Sequence, residues 1–530
     1  MSYKKVETKD YNELMSKYHI GSLLAKIVAS WGYNEKDLAT FFCPLTKYEL
    51  DDEIFAPIKN ALEKIKEEKS KVFIFGDYDC DGISATTIMS MILTKLNIEH
   101  GYYIPDRQKE GYGLNLERLK QAYQRGYKVL ITVDNGVSCK EQLAWAKEHD
   151  MHVIVTDHHS ICMDFDRDEF LHPTLLKEDY QYLCGASIVY LLAIYMGLAD
   201  DKMSILAMLA TISDVMSLKG INIKIVRDGL ALFNKHRYYN LEVLDKLTFP
   251  VNENDLAFKI IPKINAIGRL SDKANVNTLV KFLLCEDKKS IDHYASEVNN
   301  LNELRKKMTS EQYELVKDSS LSDKINFIYH SGLHEGLLGI IAAMVMNTNN
   351  KPSFIMTDSI EGIKGSARSL NGTDLICLLD KYRDNFIQLG GHASACGYTI
   401  SYDKLNNLKE YLEENIDEYS SAIETECLQL EQSDLAEDKI KEVFNYRPFG
   451  QDRKLPLMMI TFTDIKDYRK LKTDTQLKWT LNNGLQIISF DNKGYEYYLD
   501  KNTITVVGEL QENIFNNHSY YQIKAKEILD

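Results

Sequence analysis

The chain has no C-x-x-C pair among its nine cysteines, no internal repeat, no low-complexity tract and no excess of positive charge. Each absence closes off a class. An odd number of cysteines without metal-binding spacing argues against a disulfide scaffold and against a structural zinc ribbon. Residues 1–10 hold no secretory leader pattern, so the thiols are expected to be reduced and the location cytoplasmic. Residues 180–199 lack charged side chains and have the length to span a bilayer. That stretch nevertheless carries Gln181, Ser187, two glycines and four tyrosines, with acids rather than a Lys/Arg cluster at its ends. It reads as a buried core helix, and no membrane partner is expected. The net charge of −15 argues against a generally basic nucleic-acid coat. The imbalance is local. Residues 401–450 hold thirteen acids against five bases, whereas residues 451–530 balance at eleven of each. A local basic groove therefore stays available for a polyanion.

What is present is ordinary globular composition, 44% hydrophobic and 27% charged over 530 residues, enough for about three or four domains. Residues 1–59 show short, mixed helical patterns. From 60 to 285, short apolar runs alternate with helical patterns: KVFIFG (71–76), KVLITV (128–133) and MHVIVT (151–156). That alternation predicts a parallel sheet with crossover helices. Residues 286–324 are charged, long and helical, and read as an exposed connector helix. Residues 325–404 give a second, smaller α/β domain. Residues 405–445 read as an acidic helical connector. Residues 446–530 alternate strands and turns, as in a small all-β barrel.

Three strand ends in the first α/β domain carry acids: Asp77, Asp79 and Asp81 in GDYDCDG, Asp134 in VDNG, and Asp157 before His158 and His159. A further acid, Asp214, closes the apolar run ILAMLATISD. The carboxyl ends of parallel strands share one edge, where ligands bind. A lone Asp at a strand end is most often a turn former or helix cap. Four acidic sites and a His pair on one edge point instead to metal ligation. Asp79 and Asp81 can each face a different ion, Asp134 can bridge, and His158 adds a nitrogen. Mixed carboxylate and imidazole ligation suits Mn, Fe or Zn better than Mg alone. Two ions about 4 Å apart would activate water and clamp the oxygens of a phosphoryl displacement.

These motifs resemble the DHH phosphoesterase superfamily. GDYDCDG, VDNG, Asp157-His158-His159 and ATISDVMSL follow its motif order, and LCGAS (183–187) fits the intervening helix. NAIGRL (265–270), HEGLLGIIA (334–342), the DHHA1-type Gly390-Gly391-His392 and YRPFGQ (446–451) are similar to stretches of the RecJ family of single-strand-specific 5′→3′ exonucleases. The resemblance covers roughly residues 50 to 530. It implies metal ligands at Asp79, Asp81, Asp134, His158 and Asp214, with His159 at the scissile phosphate and Asp157 orienting it. Many relatives have a ligating His four residues before Asp79. This chain has Phe75 there, which leaves Asp77 or water to complete the first ion. Arg269 and Asn265 in NAIGRL, Ser366 and Arg368 in KGSAR, and Gly390, Gly391 and His392 are the implied phosphate and DNA contacts. His330 and His334 stay ambiguous, and Cys80 is given no role. Trp479, Tyr497, Tyr498, Phe515, Tyr520 and Tyr521 are barrel core or base-stacking platforms, with core favoured for most.

The resemblance implies a metal-dependent exonuclease using two divalent ions, Mn2+ ahead of Mg2+. It would take single-stranded DNA from a 5′ end to 5′-mononucleotides in repair and recombination. A single-strand-binding protein and a helicase are the implied partners. The rival readings are a nano-RNase or pAp phosphatase, a cyclic dinucleotide phosphodiesterase, and a non-enzymatic scaffold. The β-rich end and NAIGRL count against the first two, and the intact acids against the third. Every ligand position precedes Glu431, so a chain ended there is expected to keep the ligand cluster.

Overall fold

The computed structural model describes residues 3–6, 11–111, 113–161, 163–319, 322–370, 373–420, 425–471, 476–490, 495–499, 501–515 and 518–529. It divides into two units. The first comprises residues 1–103, 113–261 and 424–530, and the second residues 104–112 and 262–423.

The first unit opens on a short strand, β1 (Tyr3–Lys5), and continues into a five-stranded parallel sheet. That sheet contains β2 (Lys71–Phe75), β3 (His100–Tyr103), β4 (Tyr127–Val133), β5 (His152–Thr156) and β6 (Glu169–Leu171), ordered β3-β2-β4-β5-β6. The three apolar runs of the sequence are β2, β4 and β5, side by side at the centre. Helix Cys80–Lys95 follows β2 and is buried along almost its whole length, as is Gly185–Tyr195. That burial explains why residues 180–199 look membrane-like. Among the described residues, no helix is long and apolar enough to cross a membrane.

The second unit carries a five-stranded mixed sheet of β7 (Asn326–Tyr329), β8 (Ser353–Ser359), β9 (Gly362–Arg368), β10 (Phe386–His392) and β11 (Ala395–Ile400), ordered β10-β11-β9-β8-β7. Helix Lys288–Val316 belongs to this unit and is not a free-standing connector. It buries Ile291, Ala295, Val298, Asn302, Thr309 and Val316. Positions 295, 302, 309 and 316 recur every seven residues, which is one helix face. Asn302 and Thr309 occupy that face and so hide the stripe from a hydrophobicity pattern.

The expected acidic connector also resolves into two parts. Helix Leu405–Asn415 buries Leu408 and Leu412 in the core of the second unit. In the first unit, β12 (Thr425–Leu430) begins an eight-stranded sheet completed by β13 (Met458–Phe462), β14 (Ile465–Lys470), β15 (Leu477–Leu481), β16 (Gln486–Ser489), β17 (Ile504–Phe515) and β18 (His518–Leu529). Its order is β1-β12-β13-β17-β18-β16-β15-β14, so β1 pairs with β12. The core under this sheet joins Trp479, Phe462, Ile487 and Ile523 to Leu23, Leu24, Ile27, Val28 and Phe41. The N-terminal helices Ser22–Ser30 and Glu35–Phe42 thus fold with residues 424–530 and not as a segment apart. Glu442 accepts the Gly21 N–H at the start of helix Ser22–Ser30, across 421 residues of sequence.

Candidate metal centre and phosphate-binding groups

The acids converge at the carboxyl edge of the parallel sheet, each fixed by local backbone. Asp79 is the N-cap of helix Cys80–Lys95, its Oδ1 accepting the Asp81 and Gly82 N–H groups at 2.9 and 3.1 Å. It is therefore both the cap that a bland reading assigns it and a member of the cluster. Asp81 receives the Gly185 and Ala186 N–H groups, both at 2.7 Å, from the start of helix Gly185–Tyr195. Asp134 follows β4 at φ +60°, in the left-handed region that a non-glycine residue seldom adopts. A Cβ on Gly185 would come within 2.6 Å of the Asp134 Cβ and Oδ1, so glycine is required there. Asp214 is the C-cap of helix Asp201–Ser213.

Among the described residues, three groupings have ligand atoms within 4.8 Å of one another: Asp77, Asp79 and Asp134; Asp134, His158 and His159; Asp81, His158 and Asp214. His158 Nε2 lies 3.1 Å from Asp134 Oδ1 and 3.7 Å from both Asp81 Oδ2 and Asp214 Oδ2. Phe75 is fully buried against Tyr103 and offers no ligand. Asp77 stands with Asp79 and Asp134 instead.

The electrostatics ask for cations. Burial raises the Asp134 carboxyl well above its ordinary value, and the charges of Asp81, Asp79, Asp77 and Asp214 add to it. Burial and Asp81 raise Asp79 in the same way. Asp214 is pushed up to about 8 by burial and by Asp81 and Asp79. His158 is lowered by burial, which favours the neutral imidazole that a metal takes. Asp134 Oδ1 is buried and accepts no well-aligned hydrogen bond. A donor set of crowded carboxylates and one neutral imidazole, with an orphaned buried oxygen at its centre, fits divalent cations.

Asp157 plays a different part. Its Oδ2 accepts the Val137 N–H at 3.0 Å, and its Oδ1 takes the N–H groups of His158 (2.7 Å) and His159 (3.1 Å) and the His159 Nδ1 at 2.8 Å. Burial alone would raise Asp157, but the His159 hydrogen bond and charge outweigh it and leave the carboxyl lowered. Burial alone would lower His159, yet the Asp157 hydrogen bond and charge raise it to about 9. His159 is thus oriented by Asp157 beside the ligand cluster, with its protonated form favoured by that carboxylate.

The second unit gathers a separate set. Register pairs Arg368 with Ala395 and Ala395 with His392, while Ser366 pairs with Gly397 and Gly397 with Gly390. Side chains two apart on a strand share a face, so Ser366, Arg368, Gly390 and His392 lie on one face of this sheet. Arg368 Nη1 donates to Ser366 Oγ at 3.2 Å and to the Ala367 carbonyl at 2.8 Å. Gly339 opens the first turn of helix Leu338–Asn349, and a Cβ there would come within 2.7 Å of Arg368 Nη2. Gly391 has φ +142°, and a Cβ would strike the Ala395 carbonyl at 2.4 Å. Asn265 and Arg269 ride on helix Ile261–Arg269, whose last carbonyl presses on Gly336. His334 is an anchor: its Nδ1 accepts the Gly336 N–H and its Nε2 lies 3.1 Å from Asp272.

Sequence reasoning missed Arg107. Burial lowers the Arg368 guanidinium, and the Arg107 charge lowers it further. Arg107 thus joins Arg368 as a candidate phosphate contact. No motif surrounds Arg107; its signal is structural, since Asp106 accepts the Ser271 hydroxyl at 2.7 Å and ties the loop to this unit. In the eight-stranded sheet, Arg469 stands opposite Lys478, and burial followed by the Arg469 charge lowers Lys478. Trp479 is core, Tyr498 and Tyr521 are partly buried, and Tyr497 and Tyr520 are exposed. The Phe515 side chain lies outside the described residues.

Three family models match the chain. Residues 71–213 match the DHH family, N-terminal domain; residues 322–418 match the DHHA1 domain; residues 428–527 match the RecJ OB domain. The single-stranded-DNA-specific exonuclease RecJ of Bacillus subtilis strain 168 is 30% identical over 549 residues, covering 97% of this chain and 69% of that protein. The crystal structure of RecJ in complex with Mn2+ from Thermus thermophilus superposes with a TM-score of 0.82 at 23% identity, over 100% of this chain and 79% of that one. A crystal structure of exonuclease RecJ bound to manganese gives a TM-score of 0.60 at 26% identity, over 71% and 96%. With its catalytic-sheet carboxylates, its second α/β unit and its C-terminal sheet in the same order, the chain belongs to the RecJ family of DHH phosphoesterases.

Proposed function

We propose that this protein is a metal-dependent exonuclease that hydrolyses single-stranded DNA from the 5′ end to 5′-mononucleotides. The observation that carries the reading is the convergence of Asp79, Asp81, Asp134, His158 and Asp214 on one sheet edge, with Asp134 in two of the three groupings. Asp77 stands where it can complete the first ligand set in place of Phe75. Two divalent ions are proposed, Mn2+ ahead of Mg2+. They would neutralise phosphoryl oxygens and make a nucleophile of water at neutral pH. The chain's own residues do the rest. Asp157 holds His159 in one orientation and keeps it protonated. His159 then offers its N–H to the scissile phosphate, where negative charge grows as the bond breaks. Arg368, Ser366 and Arg107 bind a phosphate of the strand, with Arg269, Asn265 and the Gly390–His392 backbone as further contacts.

Recruitment by a helicase or a single-strand-binding protein, work in repair and recombination, and a cytoplasmic location belong to the same proposal. The test is Mn2+-dependent nucleotide release from a 5′-labelled single strand, set beside pAp and a cyclic dinucleotide. Preference for either small substrate over the strand would replace this reading with that of a small-molecule phosphodiesterase.

A further inference from the structure

Asp214 is less enclosed than His158, Asp134 and Asp81. Its side chain is 31% exposed, against 12% for His158, 3% for Asp134 and 1% for Asp81. The backbone behind it takes an uncommon form: Val215 has φ +52°, a conformation costly for a β-branched residue, and the residue is 60% exposed. The near end of the turn is closed by the helix's own C-terminal bonds, from the Val215 N–H to the Ile212 carbonyl at 3.3 Å and from the Met216 N–H to the Thr211 carbonyl at 3.2 Å.

The far end of this turn is held from a distant part of the sequence. The Leu218 N–H donates to the Gln451 carbonyl at 3.0 Å, Leu218 is 4% exposed, and a Cβ on Gly450 would lie 2.8 Å from Leu218 Cδ1. Lys219 adds an ion pair to Asp37 at 2.9 Å. The segment presenting Gly450 and Gln451 is itself pinned. Arg447 bridges Glu253 and Glu512, the Phe449 N–H donates to Glu253 at 3.2 Å, and Arg227 Nε donates to the Arg447 carbonyl at 3.0 Å. Arg453, fully buried, donates to the Tyr446 carbonyl and faces the Phe41 ring at 4.3 Å. All of these residues belong to the first unit.

We infer that the strap 446–453 sets the metal affinity of the centre by fixing the far end of the 214–218 turn at Leu218, so that Asp214 faces His158 and Asp81. Gly450 and Gln451 are positioning residues: they touch neither ion nor DNA. The inference rests on the metal-centre reading above.

The test uses the full chain and titrates Mn2+ alone, following the free-ion signal by electron paramagnetic resonance. Gly450→Val should push Leu218 away and weaken Mn2+ binding by about tenfold or more, as loss of an outer-shell support does. Leu218→Ala keeps the backbone N–H and makes room. Combined with Gly450→Val, it should return most of the lost affinity. Should Gly450→Val not melt cooperatively, Gly450→Ala places the same first carbon against Leu218 and carries the same expectation. Wild-type affinity in the folded single variant, or a loss that the double variant does not repair, overturns the inference while leaving the metal centre intact. A wild-type chain that binds no Mn2+ overturns the centre, and the inference with it.

Discussion

Replacing Asp134 by Asn should make the protein inert and, without metal, no less heat-stable. The substitution keeps the side chain's size and removes one charge from the cluster of Asp77, Asp79, Asp81, Asp134 and Asp214. In the metal-free protein that charge is opposed by burial and by its four acidic neighbours. Most point substitutions at buried sites cost about 0.5–3 kcal/mol; here relief of repulsion offsets the loss, and the melting temperature should stay level or rise. With Mn2+ the order reverses. At a hundredfold excess over Kd, wild-type protein gains about 2.7 kcal/mol. At about 2–4 °C per kcal/mol for a domain of some 200 residues, that is a shift of several degrees. Asp134→Asn should lose that shift, because two ligand groupings share this residue, and hydrolysis should fall by about three orders of magnitude or more. Calorimetry with and without Mn2+, beside release from a labelled strand, reads both effects. A variant that keeps the full Mn2+ shift, or turns over within about tenfold of wild type, refutes the shared-ligand argument.

His159→Ala should bind Mn2+ as wild type does yet lose turnover, since its Nδ1 is engaged by Asp157; paired binding and rate measurements check this. Arg368→Ala or Arg269→Ala removes a charge-assisted contact worth about 1.5–3 kcal/mol. Each should raise KM and weaken the preference for 5′-phosphate over 5′-hydroxyl ends, read with end-labelled strands. A chain ended near Glu431 should not fold as a stable nuclease, contrary to the expectation from ligand positions alone, because Leu23, Leu24, Ile27 and Phe41 lose Trp479 and Phe462 from their core. Soluble yield and a melting curve decide that point, and a cooperative, active truncation would refute it.

Much of the fold could be read from local chemistry. Apolar runs of five to seven residues ending in an acid mark β2, β4 and β5, because a fully buried parallel strand has no polar face to alternate. The paired acids at 79 and 81 and the Asp157-His158-His159 run stood out because several ligand types on one strand edge need a common purpose. What escaped depends on tertiary neighbours. Arg107 sits in a loop without a motif and matters only because the fold brings it near Arg368. The stripe on helix Lys288–Val316 is diluted by Asn302 and Thr309. The apolar face of helix Ser22–Ser30 reads as amphipathic, but nothing local says that Trp479 and Phe462 complete its core. Gly450 resembles any glycine of a turn until its distance to Leu218 is known.

The contact between Gly21 and Glu442 also bears on how the chain comes to be folded. A ribosome adding roughly 5–20 residues per second needs some 20–80 s between these two positions. Through that interval, the buried faces of Leu23, Leu24, Ile27 and Val28 lack Trp479, Phe462 and their other partners from the C-terminal sheet. The segments that supply the carboxylate cluster emerge meanwhile, before the strap that steadies Asp214. Nascent chains of this protein therefore pass through a long stage with a sticky leading end and a loosely held cluster, a stage at which chaperone occupancy would be greatest.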